Sequence, residues 1–292
     1  MALKAIDHYQ CDTAYGVPSM FMGMLKEYKN NKEKYSLASL KNSVMAGSIC
    51  PEELMRNCVN VLGIDFPSIA YGMTETSPIS FQTSKSDSFE KMISTVGKVH
   101  PHTEVKLINE EGKVVVRGEE GEICTRGYSV MLKYWNDPEK TKETIDDKGW
   151  VHTGDLGVID EQGYCEIVGR VKDMIIRGGE NIFPKEIENH LLTHPGIHDA
   201  QVIGVEDQYL GEEIMACIIL DDENRTISRN EIYDFCHGDI AHFKIPKYIR
   251  IVKEYPLTVT GKVKKKDMRD EVDKILKEIN PDLWEVDYDI YV

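Results

Sequence analysis

Four stretches of the chain combine residue types that can do chemistry. In Ala70-Tyr71-Gly72-Met73-Thr74-Glu75-Thr76 an aromatic, a turn-permitting Gly, a hydroxyl and a carboxylate follow one another. That order can stack Tyr71 on a planar base, set Thr74 against a phosphate oxygen and offer Glu75 to Mg2+. It equally describes a strand end with an N-cap Thr and a first-turn Glu. In Gly149-Trp150-Val151-His152-Thr153-Gly154-Asp155-Leu156-Gly157, Asp155 stands beside a Gly. A carboxylate held there can accept charge-assisted hydrogen bonds from both hydroxyls of a ribose diol, although a plain turn Asp fits the same residues. In Gly169–Ile182, Arg170, Lys172, Asp173 and Arg177 surround a strand start, and Gly178-Gly179 interrupts it. A Gly pair admits close approach of a ligand or simply makes a bulged hairpin. Last, Pro256-Leu257-Thr258-Val259-Thr260-Gly261-Lys262 places one Lys on a Gly-flexed loop, ahead of Lys264, Lys265 and Lys266. A mobile point charge suits an anionic transition state; a solvated, lysine-rich first helical turn is the alternative.

The elements that would carry these stretches follow from hydrophobic periodicity. Residues 1–45 read as a helical connection, with Pro18 opening a helix whose apolar stripe is Met20, Phe21, Met24, Leu25 and Tyr28. Val44–Ser48 and Ser68–Gly72 read as short buried strands ending at Gly, with a helix opened by Pro51 between them. That alternation predicts a parallel α/β sheet. From Ser94 to Val168 short β runs (Glu104–Ile108, Val114–Val116, Gly121–Thr125, Cys165–Val168) separated by turn residues predict an antiparallel sheet or small barrel. After Arg170 the pattern changes again. A hairpin over Met174–Ile182 precedes a helix from Pro184, β runs at Ala200–Val205 and Ile214–Leu220, and a helix from Ser228. Ser228 and Glu231 fit a capping box. A strand near Ile249–Val252 and a terminal helix after Lys265 complete the pattern. The boundary is placed at Val171-Lys172, giving domains 1–170 and 171–292.

The 292 residues carry a net charge of −15, with 41% hydrophobic residues. An acidic surface disfavours nucleic acid and anionic membranes as partners, and no apolar run approaches transmembrane length. Seven scattered cysteines without a CxxC pair indicate reduced thiols in a reducing compartment, not a disulfide framework or a zinc site. With no apolar signal region at the N-terminus, the expected setting is the cytoplasm or mitochondrial matrix. His190, His194 and His198 have helical spacing, but Pro195-Gly196 takes the third off the face, so a polar helix end is expected there. His152 can line the Asp155 site and is given no catalytic role.

Taken in order, the four stretches resemble the adenylate-forming superfamily, which includes acyl-CoA synthetases, luciferases and peptide-synthetase adenylation domains. Gly47-Ser48-Ile49-Cys50-Pro51, Ser94–Val99, Arg126–Met131, Ile175–Pro184 and Ala241–Lys247 are most similar to its medium-chain fatty acyl-CoA synthetase branch. The resemblance implies an α/β fold: the C-terminal part of the large AMP-binding domain, with a parallel sheet plus a small β-barrel, followed by a small α+β mobile lid domain. It implies fatty acid, ATP/AMP, Mg2+ and CoA as ligands. By resemblance Tyr71 flanks adenine, Gly47 borders the nucleotide and acyl pocket, Thr74 touches the α-phosphate and Glu75 holds Mg2+. Asp155 takes the ribose hydroxyls with Arg170 supporting it, and Lys172 is the hinge. Lys262 stabilises charge as carboxylate attacks the α-phosphate, and Gly179 lies along the pantetheine arm of CoA. In the family the lid then rotates, exchanging Lys262 for the Gly178-Gly179 strand.

The family's Ser/Thr/Gly-rich phosphate loop does not occur in this sequence, and no Walker-type loop replaces it. Two expectations of different class follow. One is an acyl-CoA ligase, as part of a longer chain or with a partner chain supplying the N-terminal half. The other is a catalytically dead AMP- or acyl-adenylate-binding interaction or regulatory protein.

Overall fold

The computed structural model describes residues 1–48, 50–222, 225–258 and 262–279. The chain divides into two compact units, Met1–Ile167 and Val168–Val292.

The first unit opens with α1 (Ala2–Tyr9), β1 (Thr13–Gly16), α2 (Pro18–Asn30), β2 (Asn42–Met45), α3 (Glu52–Leu62) and β3 (Phe66–Gly72). Strands β1, β2 and β3 pair in parallel. Pro18 at the first turn of α2 loses no hydrogen bond there. Gly63 ends α3 in the left-handed conformation. Helices α1–α3 bury Leu3, Phe21, Leu25, Met55 and Cys58 against Met45 and Ile69. Each large side chain so buried contributes about 1.5–3 kcal/mol. Strand β1 falls where the sequence pattern predicts helical connection: at four residues it is too short to show a period against two amphipathic neighbours.

After β3 the chain reverses. β4 (Ile79–Gln82), α4 (Phe89–Ser94) and β5 (Lys98–Val99) follow, β4 pairing antiparallel with β3 and β5 with β4. Gly97 allows a crossing no other residue would: at φ +80°, an added Cβ would lie 2.1 Å from the Gln82 carbonyl oxygen. β6 (Thr103–Ile108), β7 (Glu120–Gly127), α5 (Pro138–Thr144), β8 (Val151–Ile159) and β9 (Cys165–Arg170) complete a second sheet, ordered β6-β7-β8-β9. The predicted barrel does not close. Four strands are too few to curl round, and the free side of β9 is met by the β5 approach, where Val96 donates to Cys165 O and Cys165 to Gly97 O. The predicted strand Val114–Val116 reduces to one bridge, Ile108 to Val114, with Val114 and Val116 exposed.

The second unit contains β10 (Ile175–Arg177), β11 (Glu180–Ile182), α6 (Pro184–Leu191), β12 (Ile197–Asp207), β13 (Gly211–Leu220), α7 (Arg229–Cys236), β14 (Tyr248–Ile251) and α8 (Lys265–Ile279). β12 and β13 form a long antiparallel pair, and β14 runs parallel to β13. The strands are apolar on both faces. Val202, Ile214, Ala216 and Ile218 pack with α6 and α7, while Ile203, Met215 and Cys217 pack with Tyr255 and with Met268 and Val272 of α8. Ser228 caps α7 by accepting from Glu231 N–H at 3.1 Å. The reciprocal half of the expected capping box is replaced: the Glu231 carboxylate takes Arg225 at 2.8 Å. No described helix is long and apolar enough to cross a membrane.

The most buried of the charged ties of α8 joins its first residue to α6. Lys265 Nζ lies 2.5 Å from Glu188 Oε1 and donates to Val202 O, while Glu188 also accepts from Val202 N–H. Both side chains are nearly buried, at 15% and 11% exposure. Lys265→Met therefore leaves a carboxylate short of its cation and is expected to cost about 3 kcal/mol. The urea midpoint of the second unit measures this; an unchanged midpoint refutes the assignment.

Candidate active site

The carboxyl ends of β2 and β3 lie side by side, because Met45 pairs with Ile69. Ligands of open α/β sheets usually sit outside the carboxyl ends of their parallel strands. Gly47 follows β2, is exposed and sits at φ 93°. Tyr71 and Gly72 end β3, and Thr74–Thr76 form a single 3-10 turn with Thr74 exposed and Glu75 half-buried. Gly72 is obligatory: a Cβ would fall 1.7 Å from the Pro78 carbonyl oxygen. The returning chain thus presses directly on the strand end and turns Thr74 and Glu75 away from the sheet.

Asp155 comes from the second sheet. On β8, residues Thr153, Gly154 and Asp155 form a bulge, since Glu122 of β7 pairs with Leu156 but Cys124 pairs with His152. Thr153 Oγ1 donates to Ile123 O at 2.7 Å, and Gly154 N–H donates to Glu122 Oε1 at 3.0 Å. The bulge delivers the Asp155 carboxylate to Tyr71, whose hydroxyl donates to Oδ2 at 2.8 Å across 84 residues of sequence. Asp155 is 8% exposed. Burial and the adjacent Asp155 charge push the Tyr71 phenol up, keeping it a donor.

Tyr134 was not singled out from sequence. Its hydroxyl donates to Glu75 Oε1 at 2.6 Å, and Met131 N–H donates to Glu75 O at 2.8 Å. Burial and the Glu75 carboxylate raise the Tyr134 phenol. Its signal lay just past Arg126–Met131, in Met131-Leu132-Lys133-Tyr134. Among the described residues Glu75 Oε2 makes no hydrogen bond, so it keeps an oxygen for a ligand.

Tyr71, Thr74, Glu75 and Asp155 are therefore gathered within the first unit. Arg170, Lys172, Gly179 and Lys262 belong to the second. Arg170 ends β9, and Lys172 lies in a 3-10 turn, Val171–Asp173, with both side chains exposed. Gly178 and Gly179 link β10 to β11 at φ 60° and 90°, as two-residue hairpins of the primed type require. Lys262 is exposed, its N–H donating to Thr258 Oγ1 at 2.9 Å and its carbonyl accepting from Thr258 N–H. Val259, Thr260 and Gly261 lie outside the described residues, as does Ile49. The three histidines form no ligand set: His190 and His194 rings pack on Phe235, and His198 pairs with Asp221.

Comparison with known proteins decides the family. Residues 1–135 match the AMP-binding enzyme family, and residues 186–262 match the AMP-binding enzyme C-terminal domain. The chain belongs to the adenylate-forming superfamily. It is 47% identical over 275 residues to the mitochondrial medium-chain acyl-CoA ligase ACSF2 of Danio rerio, covering 94% of this chain and 45% of that one. It is 45% identical over 271 residues to a putative acyl-CoA synthetase, YngI, of Bacillus subtilis, covering 92% and 49%. Among solved structures it resembles ATP-bound MatB of Rhodopseudomonas palustris, with a TM-score of 0.85 at 31% identity, over 94% of this chain and 53% of that one. The anthranilate CoA ligase AuaEII with anthranoyl-AMP gives 0.85 at 29%, over 94% and 52%. The chain spans about half the length of the curated relatives it matches.

The Tyr71–Asp155 bond links two sheets, so its removal has a structural cost. Tyr71→Phe is expected to destabilise the first unit by about 1–3 kcal/mol, the cost of a buried carboxylate losing a donor. Chemical denaturation measures it, and a stability equal to wild type counts against the bond.

Proposed function

We propose that this chain holds the adenylate of an activated fatty acid and serves an ATP-dependent, medium-chain acyl-CoA synthetase. The carrying observation is the pairing of Asp155 with Tyr71 beside the Thr74-Glu75 turn, in a chain of the AMP-binding family. In this reading the Asp155 carboxylate accepts from the ribose hydroxyls while the Tyr71 hydroxyl fixes its orientation and the ring flanks adenine. Gly47 borders the pocket, Thr74 donates to the α-phosphate, and Arg170 supports the ribose end. AMP is a better fit to carboxylate and hydroxyl groups alone than a triphosphate is, because its charge is smaller.

Glu75 fits Mg2+ as a single carboxylate, the remaining ligands coming from phosphate and water. Its Tyr134 bond fixes the side chain while leaving Oε2 available. Bound there, Mg2+ would neutralise phosphate charge as the acyl carboxylate attacks phosphorus. Lys262 supplies the second positive charge for that transition state. Domains 1–170 and 171–292 with a hinge at Lys172 allow the exposed Gly178-Gly179 turn to serve the thiol step. Gly179 there admits the pantetheine arm of CoA. The vertebrate relative named as mitochondrial supports a mitochondrial setting.

Because the chain spans only about half of these relatives, nucleotide binding is its direct test. Calorimetry with AMP is expected to show binding that Asp155→Asn weakens by roughly 10–100-fold, the worth of a charged hydrogen bond. No AMP binding by the wild-type chain overturns the reading. In a ligase assay of the complete enzyme, Lys262→Ala is expected to slow adenylate formation by roughly 100–1,000-fold. Thioester formation from supplied acyl-adenylate should change far less; equal loss in both steps refutes the Lys262 role.

A further inference from the structure

Behind the Asp155 bulge, on the same pair of strands, three groups of a different character converge. Cys124 of β7 and His152 of β8 are direct register partners, and Glu122 stands two residues before Cys124. Glu122 Oε2 lies 3.1 Å from His152 Nδ1, Cys124 Sγ lies 3.7 Å from the same nitrogen, and all three atoms fall within 4.8 Å of one another. We propose that Glu122, Cys124 and His152 bind one divalent transition-metal ion of the zinc class.

Geometry supports this first. Zinc bonds of about 2.0–2.3 Å to O, N and S in a tetrahedral arrangement place ligand atoms about 3.3–3.6 Å apart. The two separations from Nδ1 straddle that range, and the third, from sulfur to carboxylate, is at most 4.8 Å, so side-chain rotation has to close any excess there. The donor set comes next: thiolate plus imidazole plus carboxylate selects zinc or cobalt and rejects Mg2+. This site and the Glu75 position therefore take different metals.

A carboxylate stands behind the imidazole: His152 Nε2 lies 3.9 Å from Asp146 Oδ2, beyond hydrogen-bond length, and a short approach would complete the pair that favours metal at Nδ1. Asp146 is itself fixed, accepting at 2.9 Å from both Lys148 and Trp150 N–H. Glu122 is fixed through its other oxygen by Gly154 N–H. One cation, Lys106, is the register partner of Cys124 on β6; its ammonium lies over the Trp150 ring at 4.6 Å and its charge still reaches Cys124 and Asp146. Cys124 is fully buried, whereas Glu122 and His152 keep 22% and 31% exposure, which leaves a path for an ion. On binding, the Cys124 thiol proton leaves to solvent as the metal–sulfur bond forms, and the two anionic ligands balance the ion's charge.

Glu122 also holds the segment next to Asp155, so occupancy is transmitted to the bulge. Only that last consequence rests on the nucleotide reading; the metal site does not.

The test uses the metal-stripped chain itself. Titration with Zn2+ is expected to give one equivalent bound, with excess Mg2+ failing to compete. Co2+ should produce a thiolate-to-cobalt charge-transfer band. Cys124→Ser is expected to abolish the band and weaken Zn2+ binding at least roughly 10-fold, and Asp146→Asn to weaken it roughly 10–100-fold. Cys11→Ser and Cys50→Ser, at the half-exposed thiols, should leave both signals intact. Should Cys124→Ser fold poorly, Glu122→Gln, which preserves an acceptor for Gly154, is expected to keep the thiolate band but weaken Zn2+ binding at least roughly 10-fold, and an unchanged affinity there overturns the proposal. No stoichiometric Zn2+ binding, or a cobalt band lost with Cys11 or Cys50 and kept without Cys124, overturns the proposal.

Discussion

The bulge Thr153-Gly154-Asp155 in β8 sets the geometry on which both proposed sites depend. A regular antiparallel strand would alternate its side chains and point Asp155 wherever the pleat dictated. The extra residues release it from that alternation. Thr153 and Gly154 then spend their hydrogen bonds on Ile123 O and the Glu122 carboxylate. A loose bulge would leave Asp155 mobile, and ordering it on ligand binding would cost conformational entropy. Pinned on both sides, it meets Tyr71 already placed.

Pressing the return of the chain against Gly72 does the same for the other half of the site. With a carbonyl where any Cβ would sit, the Thr74-Glu75 turn has one route off the sheet. Tyr134 and Met131 then hold Glu75 from side chain and backbone together. Two carboxylates, Glu75 and Asp155, thus stand ready in a protein of net charge −15. Such a site repels a phosphate unless cations accompany it. In the proposed reading that need explains why Mg2+ and a lysine from the second unit belong to the same chemistry.

Much of this was legible in the sequence, and what was not has physical reasons. The helices opened by Pro18, Pro51 and Pro184 and the buried strands ending at Gly carried strong local signals, because backbone preference and periodicity agree there. β1 carried none, since it gains its place only by pairing with β2. Val114–Val116 has the composition of a strand but packs against too little to become one. Glu122, Cys124 and His152 escaped a spacing search because their proximity is a property of register. Two strands joined through α5 must pair before residues 28 apart can touch. Tyr134 escaped for the same reason, 59 residues from its partner.

In the proposed reading the second unit meets an opposite demand, an exposed turn that must stay open yet in place. Gly178 and Gly179 have no side chains to anchor them, and beyond Gly179 a Cβ would meet nothing. Stiffness has to come from below. Arg177 makes two bonds to Glu213, Nε to Oε2 at 2.9 Å and Nη2 to Oε1 at 2.7 Å, and Glu213 is 1% exposed. The planar, bidentate form fixes orientation as well as distance, which a lysine could not do. Glu212 takes the Ile176 N–H on the outer side, and Gly178 donates to Leu210 O. The Arg177 charge is thereby drawn onto Glu213 of β13, while the turn itself carries no side chain and is flanked by the exposed Glu180. In the proposed reading, a turn without side chains offers least obstruction to the long, flexible pantetheine arm passing beside it.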